Sequence, residues 1–499
     1  MHPDSKKMTR LLNSESLVHL STEVSIPNYD RQHIKHGIVH IGVGGFHRAH
    51  QALYTDDLFQ NHGITSWGIC GVGLLPQDKQ MEKALRKQDF LYTLIERHYD
   101  QEKARVIGSL IDYLYAPENP GAVLEKMVSE DTKIVSLTIT EGGYCYNEGT
   151  GEFDSSHPYV KHDLENPQHP IGVFGFLVEA LHQRCKKGVP PFTILSCDNL
   201  QSNGDLTKKM VISFAQLRDC SLSQWISKQV TFPNCMVDRI TPMTTDEDKS
   251  VVLEKWGIQD EWPVIAESFN QWVIEDRFCN GRPPWDLVGV QMTGDVLPYE
   301  KMKIRLLNAS HSAATYLAYL DGYDYFYKAI SDPLYREYLG RMMNEEITPL
   351  LPAVPGIDLT EYKKTLLERF GNPSVKDHLN RICMDGSSKM PKFILPSIQE
   401  HLQQGNTPRL LSLAVAGWFR FLSAENEKGE TIPINDPMAE ILVEKAKAGK
   451  EHPSSLLGIT EIFGELLPNS QSFVDSLTRD LESLYQKGAR ATLQEALNQ

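Results

Sequence analysis

Lys303, Asn308 and His311 stand five and three residues apart in a stretch that reads as a helix. A potential base, a carboxamide and an imidazole so placed can converge on one small polar ligand. Leu306, Leu307, Ala313, Ala314, Leu317 and Leu320 recur three and four residues apart, which predicts a helix from Lys303 to Leu320, with Pro298 ahead of it and Gly322 after it. At about 100° per residue, Asn308 and His311 fall one turn apart on one face. Lys303 lies roughly 140° from Asn308 round an α-helix and reaches back by its long stem. A lysine is a poor base at its free pKa near 10.4, but burial and a place in the first helical turn both disfavour its ammonium form. Both effects would move it toward the range in which a lysine can take a proton. The same spacing also suits an exposed lysine, a core asparagine and a hydrogen-bonded histidine, so it does not decide alone.

The elements that could position a ligand beside these groups begin with an apolar run, Gly37–Ile41, which predicts a buried strand. It leads into Gly42-Val43-Gly44-Gly45-Phe46-His47-Arg48 and a helical stretch to about Gln60. Strand, glycine turn and helix form the context of a dinucleotide-binding fingerprint, in which Gly42 permits the tight turn and Gly44 lets backbone amides approach a pyrophosphate. Val43, Gly45 and Phe46 complete the turn, and His47 replaces the third glycine. Arg48 either pairs a phosphate or is a surface charge. A second strand, Ser66–Gly73, is followed by Asp78, an acid placed to bind ribose hydroxyls and so to favour NAD over NADP, or else simply a helix-start charge.

Further βα-like units follow at Lys133–Thr140, ending in Glu141-Gly142-Gly143-Tyr144, and at Phe192–Ser196, ending in Cys197-Asp198-Asn199-Leu200. Asn199 would then lie at the cofactor crevice, or cap a helix from about Gly204. Met236–Pro242 reads as another strand end, bearing the carboxylate of Asp238. From about Pro298 helical patterns dominate: Lys303–Leu320, Pro333–Leu350, Leu359–Phe370, Pro391–Gln404, Pro408–Ser423, Pro437–Ala448 and Ser470–Leu497. The expected organisation is an α/β cofactor domain over residues 1–297 and a mostly helical domain over 298–499. Arg381 and Lys389, in the cluster Arg381–Lys389, could donate hydrogen bonds to a polyhydroxylated ligand, or the cluster is a solvated loop.

The 499 residues, 41% apolar and 23% charged, describe an ordinary globular protein. A net charge of −15 and a pI near 5.6 argue against nucleic acid and anionic membrane partners. Eight cysteines without a CxxC pair indicate neither a zinc site nor a disulfide framework, and so a reduced, cytoplasmic setting. Met1–Ser16 has no apolar core of a signal peptide, and no run of about 18 apolar residues occurs. No exposed heptad seam is visible, so a monomer is expected.

Five motifs occur in order: Gly42-x-Gly44-x-Phe46-x-Arg48-Ala49-His50, Thr138-x-Thr140-x-Gly142-Gly143-Tyr144, Cys197-Asp198-Asn199-Leu200, Asp238-Arg239-Ile240-Thr241-Pro242 and Lys303-x4-Asn308-x2-His311. Together they closely resemble the mannitol dehydrogenase family of polyol-specific long-chain dehydrogenases/reductases. The resemblance implies a Rossmann-type N-terminal domain, a helical C-terminal domain, and an active site between them. It also implies reversible, metal-independent oxidation of a secondary alcohol with NAD, D-mannitol and D-fructose being the leading pair. By matching position it makes Lys303 the general acid/base and Asn199 and Asn308 the holders of the alkoxide. His311 then positions the substrate, and Asp238, Arg381 and Lys389 meet its other hydroxyls. In such a family His47 is an expected variant at its position. Two carboxamides can do the work zinc does in other alcohol dehydrogenases, each contributing ~3 kcal/mol in a dry site. Glu300, three residues before Lys303, could relay a proton to solvent or serve only as a helix-start carboxylate. An arabinitol dehydrogenase, a hexuronate reductase served by Arg381 or Lys389, and a non-catalytic NAD(H) sensor are the competing readings; the last has no use for a positioned base.

Overall fold

The computed structural model describes residues 10–147 and 151–498. They form two compact units, divided between Val296 and Leu297. In the first, five parallel strands build one sheet: β1 (His36–Ile41), β2 (Gly68–Gly73), β3 (Leu110–Tyr115), β4 (Ile134–Leu137) and β5 (Thr193–Ser196). Their spatial order is β5-β4-β1-β2-β3. Chain direction across the sheet reverses between β1 and β4, and that switch point is where a doubly wound sheet opens a crevice beyond its carboxyl ends.

The strands are short apolar runs because both faces of the sheet are covered. Val39, Ile41, Val72, Val135 and Leu137 pack on one face against Val123 and Met127 of α4, Phe176 and Leu177 of α5, and Met210 and Phe214 of α6. These helices span Pro120–Val128, Val173–Lys187 and Asn203–Arg218. On the other face Ile38, Ile69, Ile134 and Leu195 meet Ala52 and Leu58 of α2 (Gln51–His62) and Leu85 of α3 (Asp78–Lys87), with Trp272 and Trp285 completing the layer. The single helix expected after the glycine turn is interrupted: α1 covers only Gly45–Ala49, and His50 (φ −123°, ψ −90°) breaks the run before α2.

Two smaller sheets depart from the sequence expectation. The hairpin Tyr92–His98 and Gln101–Ile107 lies between Val264–Glu267 and Val24–Ser25 in a four-stranded sheet. Met236–Pro242 does not add a βα unit. Its strand, Cys235–Asp238, runs antiparallel to Gln271–Glu275 in a separate three-stranded sheet. A four-residue apolar run is equally compatible with either pairing, and here the partner comes from later in the chain.

The second unit is built of helices. The expected helix from Lys303 begins earlier: α7 (Leu297–Met302) passes into a π turn, Lys303–Asn308, and then α8 (Ala309–Leu320). Pro298 is tolerated in the first turn of α7, where no intrahelical N–H bond is needed. Pro391 likewise lies inside a helix, Gly386–Phe393, rather than opening one. The helix α8 packs against Arg409–Phe421, which in turn packs against Gln471–Leu497. Among the described residues no helix is long and apolar enough to cross a membrane.

Candidate active site

The π turn alters the geometry that α-helical spacing implies. The Ala309 N–H reaches back five residues to the Ile304 carbonyl, so residues five apart stand nearly above one another rather than 140° apart. Lys303 and Asn308 are such a pair, and the turn moves them onto one face. His311 follows three residues later in regular α-helix. Lys303 is buried, 7% exposed, so desolvation acts on its ammonium. The helix-dipole contribution expected from the sequence does not apply, because Lys303 is the seventh residue of a run that begins at Leu297. Asn308 Oδ1 is buried and has no hydrogen-bond partner among the described residues. Buried polar atoms are rarely left so, and an orphan of this kind fits a ligand hydroxyl. Glu300 is buried one turn before Lys303, in the middle of α7.

Around His311 the unit gathers aromatic rings and charge. Phe370 stacks on the imidazole at 5.3 Å between ring centres, and Phe326 meets it edge-on at 4.3 Å. Burial pushes the His311 pKa down to about 4, against the opposing pull of Asp377. The imidazole is therefore neutral near pH 7 and can only donate one hydrogen bond and accept one. Asp377 Oδ2 lies 3.9 Å from His311 Nε2, and the two oxygens of that carboxylate accept the Arg381 fork, Nε on Oδ1 and Nη2 on Oδ2. Lys389 donates to the carbonyls of Ile382 and Met384 at 3.0 and 2.7 Å, and burial lowers its pKa. Arg381 and Lys389 thus have protein partners already; Lys389 is half-buried in a helix, whereas the Arg381 side chain stays exposed. Asp377, Phe326 and Phe370 went unnoticed in the sequence; only the four-residue spacing of Asp377 and Arg381 hinted at a pair.

In the first unit the chain turns sharply after β1. Gly42 has φ +92°, and a Cβ there would stand 2.1 Å from the Thr138 carbonyl oxygen. Beneath the turn is a buried polar network. The parallel register sets His40 beside Ser136, with His40 Nδ1 2.8 Å from Ser136 Oγ and Nε2 2.9 Å from Thr138 Oγ1. The Thr138 hydroxyl donates to the Gly42 carbonyl at 2.6 Å, and Ser136 donates to Gln51 Oε1 at 2.9 Å. Val43 is buried, and Phe46 stacks on His50 at 4.6 Å. The third fingerprint glycine normally lets helix and strand approach closely. Here His47 lies flat on His40, ring centres 3.5 Å apart and planes 13° apart, so the imidazole stack takes over that contact. Burial holds both rings neutral, His40 down to about 3. Gly42→Ala is expected to cost about 2 kcal/mol or more of stability and to weaken dinucleotide binding. Unchanged urea denaturation together with unchanged NAD titration would contradict this account of the turn.

Arg48 is neither the phosphate partner nor the surface charge that its position suggested. It is 1% exposed, donates to the Trp262 carbonyl and stacks over Tyr92, whose hydroxyl donates to the Arg48 carbonyl at 2.6 Å. Its charge is spent on joining α1 to the neighbouring sheet. Asp78 opens α3 directly beyond β2, and its Oδ2 accepts from the Leu75 N–H at 2.9 Å. Gly73 permits this, since a Cβ on it would come within 2.5 Å of Asp78 Cβ.

Asn199 is exposed beyond the end of β5 and is not a cap: the next helix starts at Asn203, with Ser202 preceding it. Its neighbour Asp198 fixes the place. Asp198 accepts from the N–H groups of Ile139 and Thr140 and from the Tyr144 hydroxyl, joining the loop after β4 to the end of β5. Burial raises the Asp198 pKa. The turn Gly42–Phe46, Asp78 and Asn199 thus all lie beyond carboxyl ends of the main sheet. Asp238 is buried at the end of its strand in the three-stranded sheet. Among the described residues no group of three or more His, Cys, Asp or Glu could hold a metal ion.

This division of labour recurs in known proteins. Residues 36–287 match the mannitol dehydrogenase Rossmann domain and residues 295–485 the mannitol dehydrogenase C-terminal domain. The mannitol 2-dehydrogenase of Aspergillus fumigatus is 48% identical, over 98% of this chain and 99% of that protein. Mannitol dehydrogenase 2 of Saccharomyces cerevisiae is 47% identical, with 98% of each chain covered. The Pseudomonas fluorescens mannitol 2-dehydrogenase, solved as a ternary complex with NAD and D-mannitol, superposes with a TM-score of 0.86 at 46% identity over 98% of this chain and all of that one. A five-stranded doubly wound sheet, a helical unit carrying the lysine, and relatives matched along their whole length leave one assignment: the chain belongs to the mannitol dehydrogenase family.

Proposed function

We propose that this chain is an NAD-dependent mannitol 2-dehydrogenase, interconverting D-mannitol and D-fructose without a metal ion. The observation that carries the chemistry is the π turn, which brings a buried lysine and an amide whose buried oxygen has no partner among the described residues toward one face. Residues 1–297 would serve as the dinucleotide-binding domain and 298–499 as the substrate domain. The turn Gly42, Val43, Gly44, Gly45 and Phe46 would hold the pyrophosphate of NAD, and Asp78 the adenosine ribose. The sharp turn at Gly42, with φ +92°, and the open space beside Gly44, where a Cβ would meet only the Gly42 carbonyl at 4.0 Å, suit that group. When bound, NAD supplies the hydride acceptor.

The protein's own work is done on the oxygen. A carbinol carbon gives up hydride only as its hydroxyl loses a proton, so neutral Lys303 Nζ takes that proton in oxidation and returns it in reduction. The carboxamides of Asn308 and Asn199 donate to the oxygen as negative charge builds on it, each contributing ~3 kcal/mol in a site shielded from water. Neutral His311, held between Phe326 and Phe370, aligns a neighbouring hydroxyl. Asp238, Arg381 and Lys389 meet the rest of the polyol, and Glu300 passes the lysine's proton toward solvent. We further read the enzyme as a cytoplasmic monomer; its eight cysteines are all free thiols, as a reducing compartment requires.

Initial rates with NAD and NADP across mannitol, sorbitol, arabinitol, fructose and fructuronate test the reading. Mannitol and fructose with NAD(H) should lead. A clear preference for arabinitol or for the uronate would replace the substrate. Asp78→Ala should raise activity with NADP relative to NAD, by removing a charge that repels the 2′-phosphate. Unchanged cofactor selectivity would move the ribose contact elsewhere.

A further inference from the structure

Thr140 stands in a backbone conformation that glycine adopts freely and a β-branched residue does not, with φ +59° and ψ 170°. Such strain persists only where surrounding contacts hold it, and it gathers at functional sites. The holder is Asp198. Its Oδ1 accepts the Thr140 N–H at 2.9 Å, and its Oδ2 accepts the Ile139 N–H at 3.1 Å and the Tyr144 hydroxyl at 2.7 Å. Two successive N–H groups thus converge on one carboxylate, as a turned backbone allows. The backbone of Asp198 is fixed as well. Its N–H donates to Ser196 Oγ at 3.3 Å, and its carbonyl accepts the Leu200 N–H at 2.9 Å and Asn203 Nδ2 at 3.0 Å. Asp198 is 8% exposed, whereas Asn199 beside it is exposed. One buried carboxylate therefore ties the loop after β4 to the loop after β5, and Asn199 stands at the edge of that tie.

We propose that Asp198 is a positioning residue for the reaction: by holding Thr140 in its strained turn it locks the loops after β4 and β5 together, and so fixes where Asn199 presents its carboxamide. The inference rests on the reading of Asn199 as a holder of the alkoxide. An ionised carboxylate accepts hydrogen bonds at both oxygens. A carboxamide of the same shape accepts at one and would set its NH2 group against the N–H of either Ile139 or Thr140. With that support removed, Thr140 relaxes toward an ordinary extended conformation and the two loops part. Catalysis depends on the placement, because displacing a catalytic group by about 1 Å can cost about 10²-fold in rate.

The test is a double-mutant cycle read in kcat for mannitol oxidation and fructose reduction, with melting temperature measured alongside. Asp198→Asn should lower kcat about tenfold or more in both directions, with KM changing much less. Thr140→Gly should melt at or above the wild-type temperature, because relief of strain offsets the freedom that glycine adds to the unfolded chain. In the Thr140→Gly background, Asp198→Asn should cost at least about threefold less in kcat than in the wild-type background, since glycine holds the turn without support. A residue that merely stabilises the fold lowers the melting temperature and gains nothing in kcat from the glycine. If the asparagine protein does not fold, Tyr144→Phe, which takes one donor from the carboxylate, is carried through the same cycle and should lose kcat with the same relief. A kcat loss of equal size in both backgrounds, an unaltered kcat, or a Thr140→Gly protein that melts well below wild type overturns the proposal. Asn199→Ala separates the two layers. A lowered kcat in that variant together with any of these results sinks the proposal alone, whereas an unaltered kcat in Asn199→Ala removes Asn199 from the site and the proposal with it.

Discussion

Lys303→Ala is expected to lower mannitol oxidation and fructose reduction by roughly 10²–10⁴-fold, the range for loss of a general acid/base. The sign of the pH dependence follows from the two directions. Oxidation needs the neutral amine, so its rate should climb as pH rises through the lysine's ionisation in the bound enzyme. Reduction needs the ammonium, so its rate should fall through the same step. In the alanine protein both slopes should flatten, because the group that titrates is gone. A small exogenous amine should return part of the rate by standing in for the missing side chain. NADH affinity should hardly change, since the lysine is assigned to the substrate and not to the dinucleotide. A structural lysine predicts a different set of results: a lower melting temperature, weaker NADH binding, and an unaltered pH profile in the residual activity. Near-normal turnover with the wild-type pH profile would remove Lys303 from the mechanism.

Much of this was legible in residue order, for reasons that differ from place to place. The glycine turn could be read because a backbone at φ +92° with a carbonyl 2.1 Å from the absent Cβ tolerates little else at Gly42. Buried parallel strands leave uninterrupted apolar runs, and these mark β1, β4 and β5 to within three residues at every end. What the sequence hid is long-range or depends on one extra residue. An α-helical period places Lys303 140° from Asn308, and no local signal marks the π turn that closes the gap. Arg48 looks like a solvent or phosphate charge because its partners, Tyr92 and the Trp262 carbonyl, lie 44 and 214 residues away. Asp377 carries no signal of its own in the sequence because its contacts join His311, 66 positions earlier in the numbering, to Arg381. The hairpin Tyr92–Ile107 was missed although its partners are local; its strands carry charged residues at successive positions, which blurs the alternation that marks a half-buried strand.

Asn308→Ala should separate catalysis from stability more cleanly than any other change at this site. The amide is assigned to the oxygen that becomes negatively charged, and deleting one such donor typically costs about 10²–10³-fold in kcat. Because that interaction strengthens as charge develops, the loss should fall on kcat in both directions and much less on KM. The free protein should not suffer in proportion. Asn308 Oδ1 is buried without a partner, so its removal breaks no hydrogen bond through that atom and relieves a desolvated acceptor. Alanine is also the better helix former by roughly half a kcal/mol, and the position lies within a continuous helical run from Leu297 to Leu320. The expected protein is therefore nearly inactive, binds NADH normally, and melts at or slightly above the wild-type temperature. Asn308→Asp adds a discriminating arm: it keeps the size of the side chain but sets a carboxylate against the alkoxide, and should be at least as slow as alanine in oxidation. An alanine protein that melts several degrees lower while retaining more than a tenth of wild-type kcat would mean that Asn308 holds the π turn together and leaves the alkoxide to other groups.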